Sequence, residues 1–441
     1  MHAWSRTNAP FASSRTDDIW FTDPRRGWAV NSNGHILHTA DGGTTWRRQL
    51  SAGGTAYLRC IGFVDDRRGW VGVLEDPVRR LFETSDGGAT WSVVEAVAQL
   101  PAAPIAICGL SVVDERVVYG TGTNQPGPPT GVIKTVDGGK TWTAQDMGEH
   151  ATLLVDVLFV DERRGWVVGG KAAPDVPNPD RPDVRPVVLF TEDGGATWRD
   201  LVAGSDLPMG EWGWKIHFVD AEVGYVSLEN FSDGAILKTV DGGMTWERKS
   251  IDDPQNNANL EGVGFADRDL GWVGGWGDAD FSGGFTSETR DGGETWTDAN
   301  HVGKFLNRFR FFREPELIGY ASGDTVYKYS AAPAVAEVAR ESPRLMADAA
   351  ALAPEEPLRT ALPARIALAA PSGATAVRVD VFDRFGRHVA TPLDQAEGGG
   401  DVTEATWDGT DEAGGTAGSG YYIYRVTVDD DAESGTLLVE G

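Results

Sequence analysis

The pattern Thr-x-Asp-Gly-Gly-x-Thr-Trp occurs six times, at Thr39–Trp46, Thr84–Trp91, Thr135–Trp142, Thr191–Trp198, Thr239–Trp246 and Thr289–Trp296. Its aspartates, Asp41, Asp86, Asp137, Asp193, Asp241 and Asp291, are 45, 51, 56, 48 and 50 residues apart. Such a period, rich in β-branched and aromatic residues and without helical spacing, predicts one four-stranded propeller blade per unit.

A second motif precedes each box. It reads "WFTDPRRGW" (Trp20–Trp28), "GFVDDRRGW" (Gly62–Trp70), "SVVDERVVY" (Ser111–Tyr119), "LFVDERRGW" (Leu158–Trp166), "HFVDAEVGY" (His217–Tyr225) and "GFADRDLGW" (Gly264–Trp272). A looser seventh copy, "FFREPELIGY" (Phe311–Tyr320), is followed by the strand-like "DTVYKYS" but by no box. In each unit the first strand ends at the motif acid, the second begins at the Gly-aromatic pair, the third runs into the box and the fourth leaves it. The seventh unit lacks its fourth strand. An N-terminal segment can supply it and remove two free sheet edges. "HAWSRTN" (residues 2–8) fits, with Trp4 standing where a box tryptophan would stand. The expected fold is therefore all-β, a seven-bladed β-propeller over residues 1–330.

A box of carboxylate, glycines and hydroxyls looks catalytic, but six symmetry-related copies do not make one active site. Each element has a local task instead. The glycines allow a tight turn with positive φ, the aspartate accepts backbone N–H groups, and Trp46, Trp91, Trp142, Trp198, Trp246 and Trp296 bury apolar surface. No catalytic residue is assigned.

These residues resemble the Asp-box (BNR-type) repeat proteins. "LRCIGFVDDRRGW" (Leu58–Trp70) followed by "TSDGGATW" is similar, more narrowly, to the photosystem II stability/assembly factor propellers. The resemblance implies a non-enzymatic propeller that binds protein partners during assembly. Sialidases also carry Asp boxes, so a carbohydrate-binding or glycoside-hydrolase propeller is the alternative; their arginine-Ile/Leu-Pro motif is not found here.

After Ser330 the composition shifts. Residues 331–357 are rich in Ala, Pro and Glu and read as a linker with one short helical stretch. Residues 358–441 read as a small antiparallel sandwich that turns at Asp383–Gly386. Asp383–Arg387, Trp407–Gly414 and Ser419–Tyr424 together resemble the FlgD-type Ig-like domain and the sorting domains of type IX secretion. That resemblance implies an extracellular or cell-surface location, although no signal peptide is visible at the N-terminus.

The chain of 441 residues carries 39 basic and 66 acidic side chains, net −27, which disfavours a nucleic-acid partner. It has no apolar run long enough to span a membrane as a helix. The two cysteines, Cys60 and Cys108, fall at positions of opposite facing and read as buried thiols. The acidic stretches Gly277–Gly284 and Asp429–Asp431 lack calcium-loop spacing and read as turns, so no metal or cofactor is expected.

Candidate binding residues come from two counts. Of 16 tryptophans, Trp20, Trp212, Trp214 and Trp276 have no role in the motifs and are read as loop aromatics available for binding. Six residues before each motif acid, on the channel-lining strand, stand Asp17, Arg59, Cys108, Val155, Trp214, Glu261 and Arg308. Mixed charge with tryptophan suits a protein or peptide ligand, with a glycan as the alternative. A monomer is expected.

Overall fold

In the computed structural model, the described residues are 2–331 except 13, 54–55, 75, 77, 124, 175 and 278–282, and then 358–360, 362–367, 376–383, 388–395, 404–411, 414–418, 420–428 and 431–439. The linker helix, the turn after Asp383 and most of both acidic stretches lie outside them.

Residues 3–330 form seven four-stranded antiparallel sheets arranged as propeller blades. The innermost strands are Thr16–Phe21, Leu58–Phe63, Gly109–Val112, Leu153–Phe159, Trp212–Phe218, Ala258–Phe265 and Arg308–Phe312. In the seventh sheet the outermost strand is Ala3–Arg6, with Trp4 opposite Tyr329 and Arg6 opposite Tyr327. Trp4 is buried against Trp272, Phe309 and Tyr329.

The box is a turn held by its own side chains. In the first copy, Thr39 Oγ1 donates to Asp41 Oδ1 (2.9 Å) and accepts from Gly43 N (2.9 Å). Thr45 donates from its backbone N to Asp41 Oδ1 (2.8 Å) and from its hydroxyl to Oδ2 (2.7 Å). Gly42 and Gly43 have φ of 73° and 90°, which a side chain would resist. The aspartate hydrogen bonds recur at Asp86, Asp137, Asp193, Asp241 and Asp291. They lie on the outer surface, and the bonds from Thr90, Thr141 and Thr197 pull Asp86, Asp137 and Asp193 down to about 2.

The second motif joins blade to blade. The aromatic residue that ends the motif stacks on the phenylalanine of the next blade's copy: Trp28 on Phe63 (centroids 3.8 Å), Tyr119 on Phe159 (3.5 Å), Tyr225 on Phe265 (3.7 Å). Trp166 meets Phe218 at 4.8 Å and Trp272 meets Phe311 at 5.9 Å. Within a blade, the glycine leaves room for that phenylalanine: a Cβ at Gly69 would lie 2.6 Å from Phe63 Cδ1. The third blade has Val112 and Val118 at these two places, so the ring and the missing Cβ are exchanged together. The two motifs also interlock, because the first box glycine donates to the preceding acidic turn, as in Gly42 N to Arg25 O at 2.7 Å.

The C-terminal unit has a five-stranded sheet, in the order Leu358–Thr360, Asp431–Val439, Gly420–Val428, Val377–Asp383, His388–Gln395, and a two-stranded sheet of Ala364–Ala367 with Glu404–Trp407. Val377, Val379, Val381, Tyr422, Tyr424, Val426 and Trp407 fill the core between them. The sandwich is not wholly antiparallel, since Leu358–Thr360 runs parallel to Asp431–Val439. That pairing joins the unit's two ends, where no hairpin could connect the strands.

Candidate functional site

The inner strands are irregular at one recurring place. Cross-strand register shifts between Thr16 and Asp18, Leu58 and Cys60, Leu154 and Asp156, and Leu260 and Gly262. The unpaired residues are Asp17, Arg59, Val155 and Glu261. A shift between Gly213 and Ile216 sets two residues, Trp214 and Lys215, against one, Ser227. A β-bulge re-aims a side chain that regular pleating would send elsewhere. Counting six residues back from each motif acid therefore lands on bulged positions in five blades. Cys108 precedes its strand, and Arg308 pairs regularly with Ser322.

These residues form one buried network. The Asp17 carboxylate accepts from Arg15 (Nη2 to Oδ1, 2.7 Å) and from Arg59. Arg15 also pairs with Glu261, whose Oε1 accepts from Trp276 Nε1 at 2.7 Å. Trp214 Nε1 donates to Asn307 Oδ1 (3.1 Å), and Asn307 Nδ2 donates to the Asp17 carbonyl (2.7 Å). Arg308 grips Asp156 with two nitrogens (2.9 and 2.8 Å) and reaches Asp18 Oδ1 at 3.2 Å. Indole faces cover the guanidinium groups: Arg15 over Trp276 at 4.8 Å, Arg59 over Trp214 at 4.9 Å, and Arg181 over Trp212 at 5.0 Å.

Charges so buried persist only when paired. Burial works against the charge of Arg15 and Arg59, but Asp17 and Glu261 outweigh it and hold both above the ordinary arginine value. Burial likewise works against Asp156, and Arg308 and Lys215 overcome it, leaving the carboxyl below its usual range. Burial pushes Lys215 down to about 8 and Glu229 up to about 8. Asp17 Oδ2, Glu229 Oε2, Trp212 Nε1 and Lys215 Nζ are buried without a protein hydrogen bond, so the network retains both donors and acceptors.

One sequence expectation is corrected. Trp212, Trp214 and Trp276 are strand residues, in Trp212–Phe218 and Gly271–Gly277, and are buried at 0%, 2% and 7% exposure. "GEWGWK" looks like a loop because its bulge breaks the two-residue alternation that marks a strand. Of the channel charges, Asp17 and Glu261 are fully enclosed. Arg15, Arg181, Asp156 and Lys215 escaped the count because they fall one or two places off the repeat frame, or, for Arg181, in the 3-10 turn Arg181–Asp183, which no other blade shows among the described residues. Cys60 and Cys108 are free, buried and in separate apolar clusters, and burial raises both thiols.

Residues 1–145 match the family described as photosynthesis system II assembly factor YCF48, and residues 359–432 match the FlgD Ig-like domain. The chain thus joins a propeller similar to YCF48 to a C-terminal unit similar to the FlgD Ig-like domain. Photosystem II assembly protein Ycf48 of Synechococcus sp. (strain JA-3-3Ab) is 26% identical over 299 residues, 59% of this chain and 83% of the relative. A solved structure of YCF48 bound to D1 peptide superposes with a TM-score of 0.50 at 18% identity, covering 75% of this chain and 97% of that one. The GH74 enzyme of Niastella koreensis reaches a TM-score of 0.52 at 13% identity, covering 99% of this chain and 74% of that one. These two likenesses show the propeller fold. No helix among the described residues is long and apolar enough to cross a membrane.

Proposed function

We propose that this chain is a non-catalytic propeller scaffold that binds a protein or peptide partner where the bulged inner strands gather Asp17, Arg59, Trp214 and Glu261. The observation that carries this reading is the arginine–carboxylate–indole network at those bulges. It offers cationic and anionic partners, stacking faces and spare donors and acceptors, the mixture a peptide backbone with polar side chains requires. The Ycf48 relatives support an assembly role, and the D1 peptide in one YCF48 structure supports a peptide ligand.

The same geometry argues against hydrolysis. A glycosidase needs two carboxyl groups free to move protons across a cleft. Asp17, Asp18, Asp156 and Glu261 are each tied to an arginine. A surface or extracellular setting is the location we propose, supported by the FlgD-type domain.

The test is a peptide array and a glycan array probed with the full chain, alongside a glycoside hydrolysis screen. Peptide capture that Arg59→Ala with Trp214→Ala abolishes supports the reading. Turnover of a glycan contradicts it.

A further inference from the structure

The outer face of the five-stranded sheet is buried where a free sandwich would meet water. On strands Val377–Asp383 and Gly420–Val428, successive side chains point to opposite faces. Val377, Val379, Val381, Tyr422, Tyr424 and Val426 enter the sandwich core. The other face carries Asp380, Phe382, Ile423 and Arg425, in register as Phe382 opposite Ile423 and Asp380 opposite Arg425. All four are buried, at 0%, 6%, 9% and 5% exposure.

What covers Phe382, Ile423 and Arg425 is the propeller. Phe382 and Ile423 cluster with Trp276, and Phe231 and Phe305 pack at the margin. Arg425 Nη1 donates to the Ser32 carbonyl of the first blade at 2.8 Å, across 393 residues of sequence. Its other nitrogen binds Asp380 Oδ2 at 3.0 Å, and its guanidinium lies 4.8 Å from the Phe382 ring centre. The covered tryptophan belongs to the binding network, since Trp276 donates to Glu261 and lies under Arg15. The charge of Asp383 acts on Arg181, which covers Trp212 and Trp214.

We infer that the Ig-like unit is an intramolecular cap on the propeller's binding face, with Phe382, Ile423 and Arg425 as its plug. A partner that uses Trp276 and Arg15 must displace this plug, so the two compete. This inference rests on the reading of that face as a partner site. Among the described residues the plug is narrow, two apolar side chains and one arginine, and its strength comes from being made within one chain, where tethering raises the effective concentration. A narrow tethered contact is one that a partner of moderate affinity can replace.

The test uses the full chain and two variants, Ile423→Asp and Phe382→Asp with Ile423→Asp. Both substitutions lie on the outer face and leave the sandwich core intact, which melting curves verify. Hydroxyl-radical footprinting reads the exposure of Trp276, and fluorescence polarisation reads binding of a fluorescein-labelled hexapeptide pool with free C-terminal carboxylates. The expected result is severalfold faster oxidation of Trp276 in the double variant and pool binding at least about tenfold tighter than to the native chain. Equal oxidation of Trp276 in all three proteins overturns the cap. Faster oxidation without tighter binding overturns the competition. If the uncovered variant and the native chain both fail to bind the pool, the peptide reading itself falls and the cap remains only as a domain contact.

Discussion

Tyr320 of the last blade stacks on Phe21 of the first, with ring centroids 3.7 Å apart and planes 11° from parallel. The phenolic hydroxyl donates to the Pro24 carbonyl at 2.7 Å. This is the same contact that Trp28, Tyr119 and Tyr225 make with the following blade. It explains why the second motif is needed seven times and the box only six. A closed ring of seven blades has seven interfaces, whereas the seventh blade takes its outer strand from Ala3–Arg6 and needs no turn there.

Ring closure is thus open to a direct measurement. Tyr320 is fully buried, so Tyr320→Ala should cost about 3–5 kcal/mol in urea unfolding. Tyr320→Phe keeps the stack and loses the bond to Pro24, and should cost about 1 kcal/mol. Equal losses would mean that the stack is not the closing contact.

The phenylalanine and glycine of the second motif should behave as one unit. A Cβ at Gly69 would strike the Phe63 ring, so Gly69→Val alone should destabilise strongly. Adding Phe63→Val recreates the third blade's Val112 and Val118 pair. The double variant should recover at least about 1 kcal/mol relative to the summed single effects. Additive losses would refute the steric account.

The box aspartates should govern stability and not binding. Asp241→Ala removes the acceptor for Thr239 and Thr245 and should lower the melting temperature. Peptide capture by the folded variant should be unchanged. Against burial, the Thr245 bonds hold Asp241 down to about 2. Its stabilising contribution is therefore complete above the unfolded value near 3.8 and is lost as pH falls towards 2.

A second pH effect comes from His217. Burial is the main cause that brings it down to about 3, and its Nε2 accepts from Phe265 N at 3.2 Å, a bond that this nitrogen can take only while unprotonated. The unfolded histidine takes up a proton below its ordinary 6.5 and the folded one does not. Stability should therefore fall as pH drops from 6.5 towards 3, by up to about 1.4 kcal/mol per pH unit. Urea midpoints at pH 7 and pH 5 measure this slope, and His217→Gln should flatten it.

The repeats made the blades legible because turn chemistry is local. Asp-Gly-Gly needs positive φ wherever it occurs, and the 45- to 56-residue spacing leaves room for four short strands. The channel was harder to read. A bulge shifts the facing of every later residue, which is why "GEWGWK" looked like a loop and why Asp18, Asp156 and Lys215 fell outside the count. Arg181 lies in an insertion without a repeat to align it. The cap was illegible for a different reason. Phe382 and Ile423 alternate as surface residues should, and only their burial against Trp276 shows what they face.

The most direct test of the central claim is calorimetric titration of a peptide taken from the array into the native chain and into Arg59→Ala with Trp214→Ala, after circular dichroism has shown both folded. The expected result is a loss of affinity of at least about 100-fold in the variant. An affinity equal to that of the native chain would contradict the assignment of the binding face to the bulged inner strands.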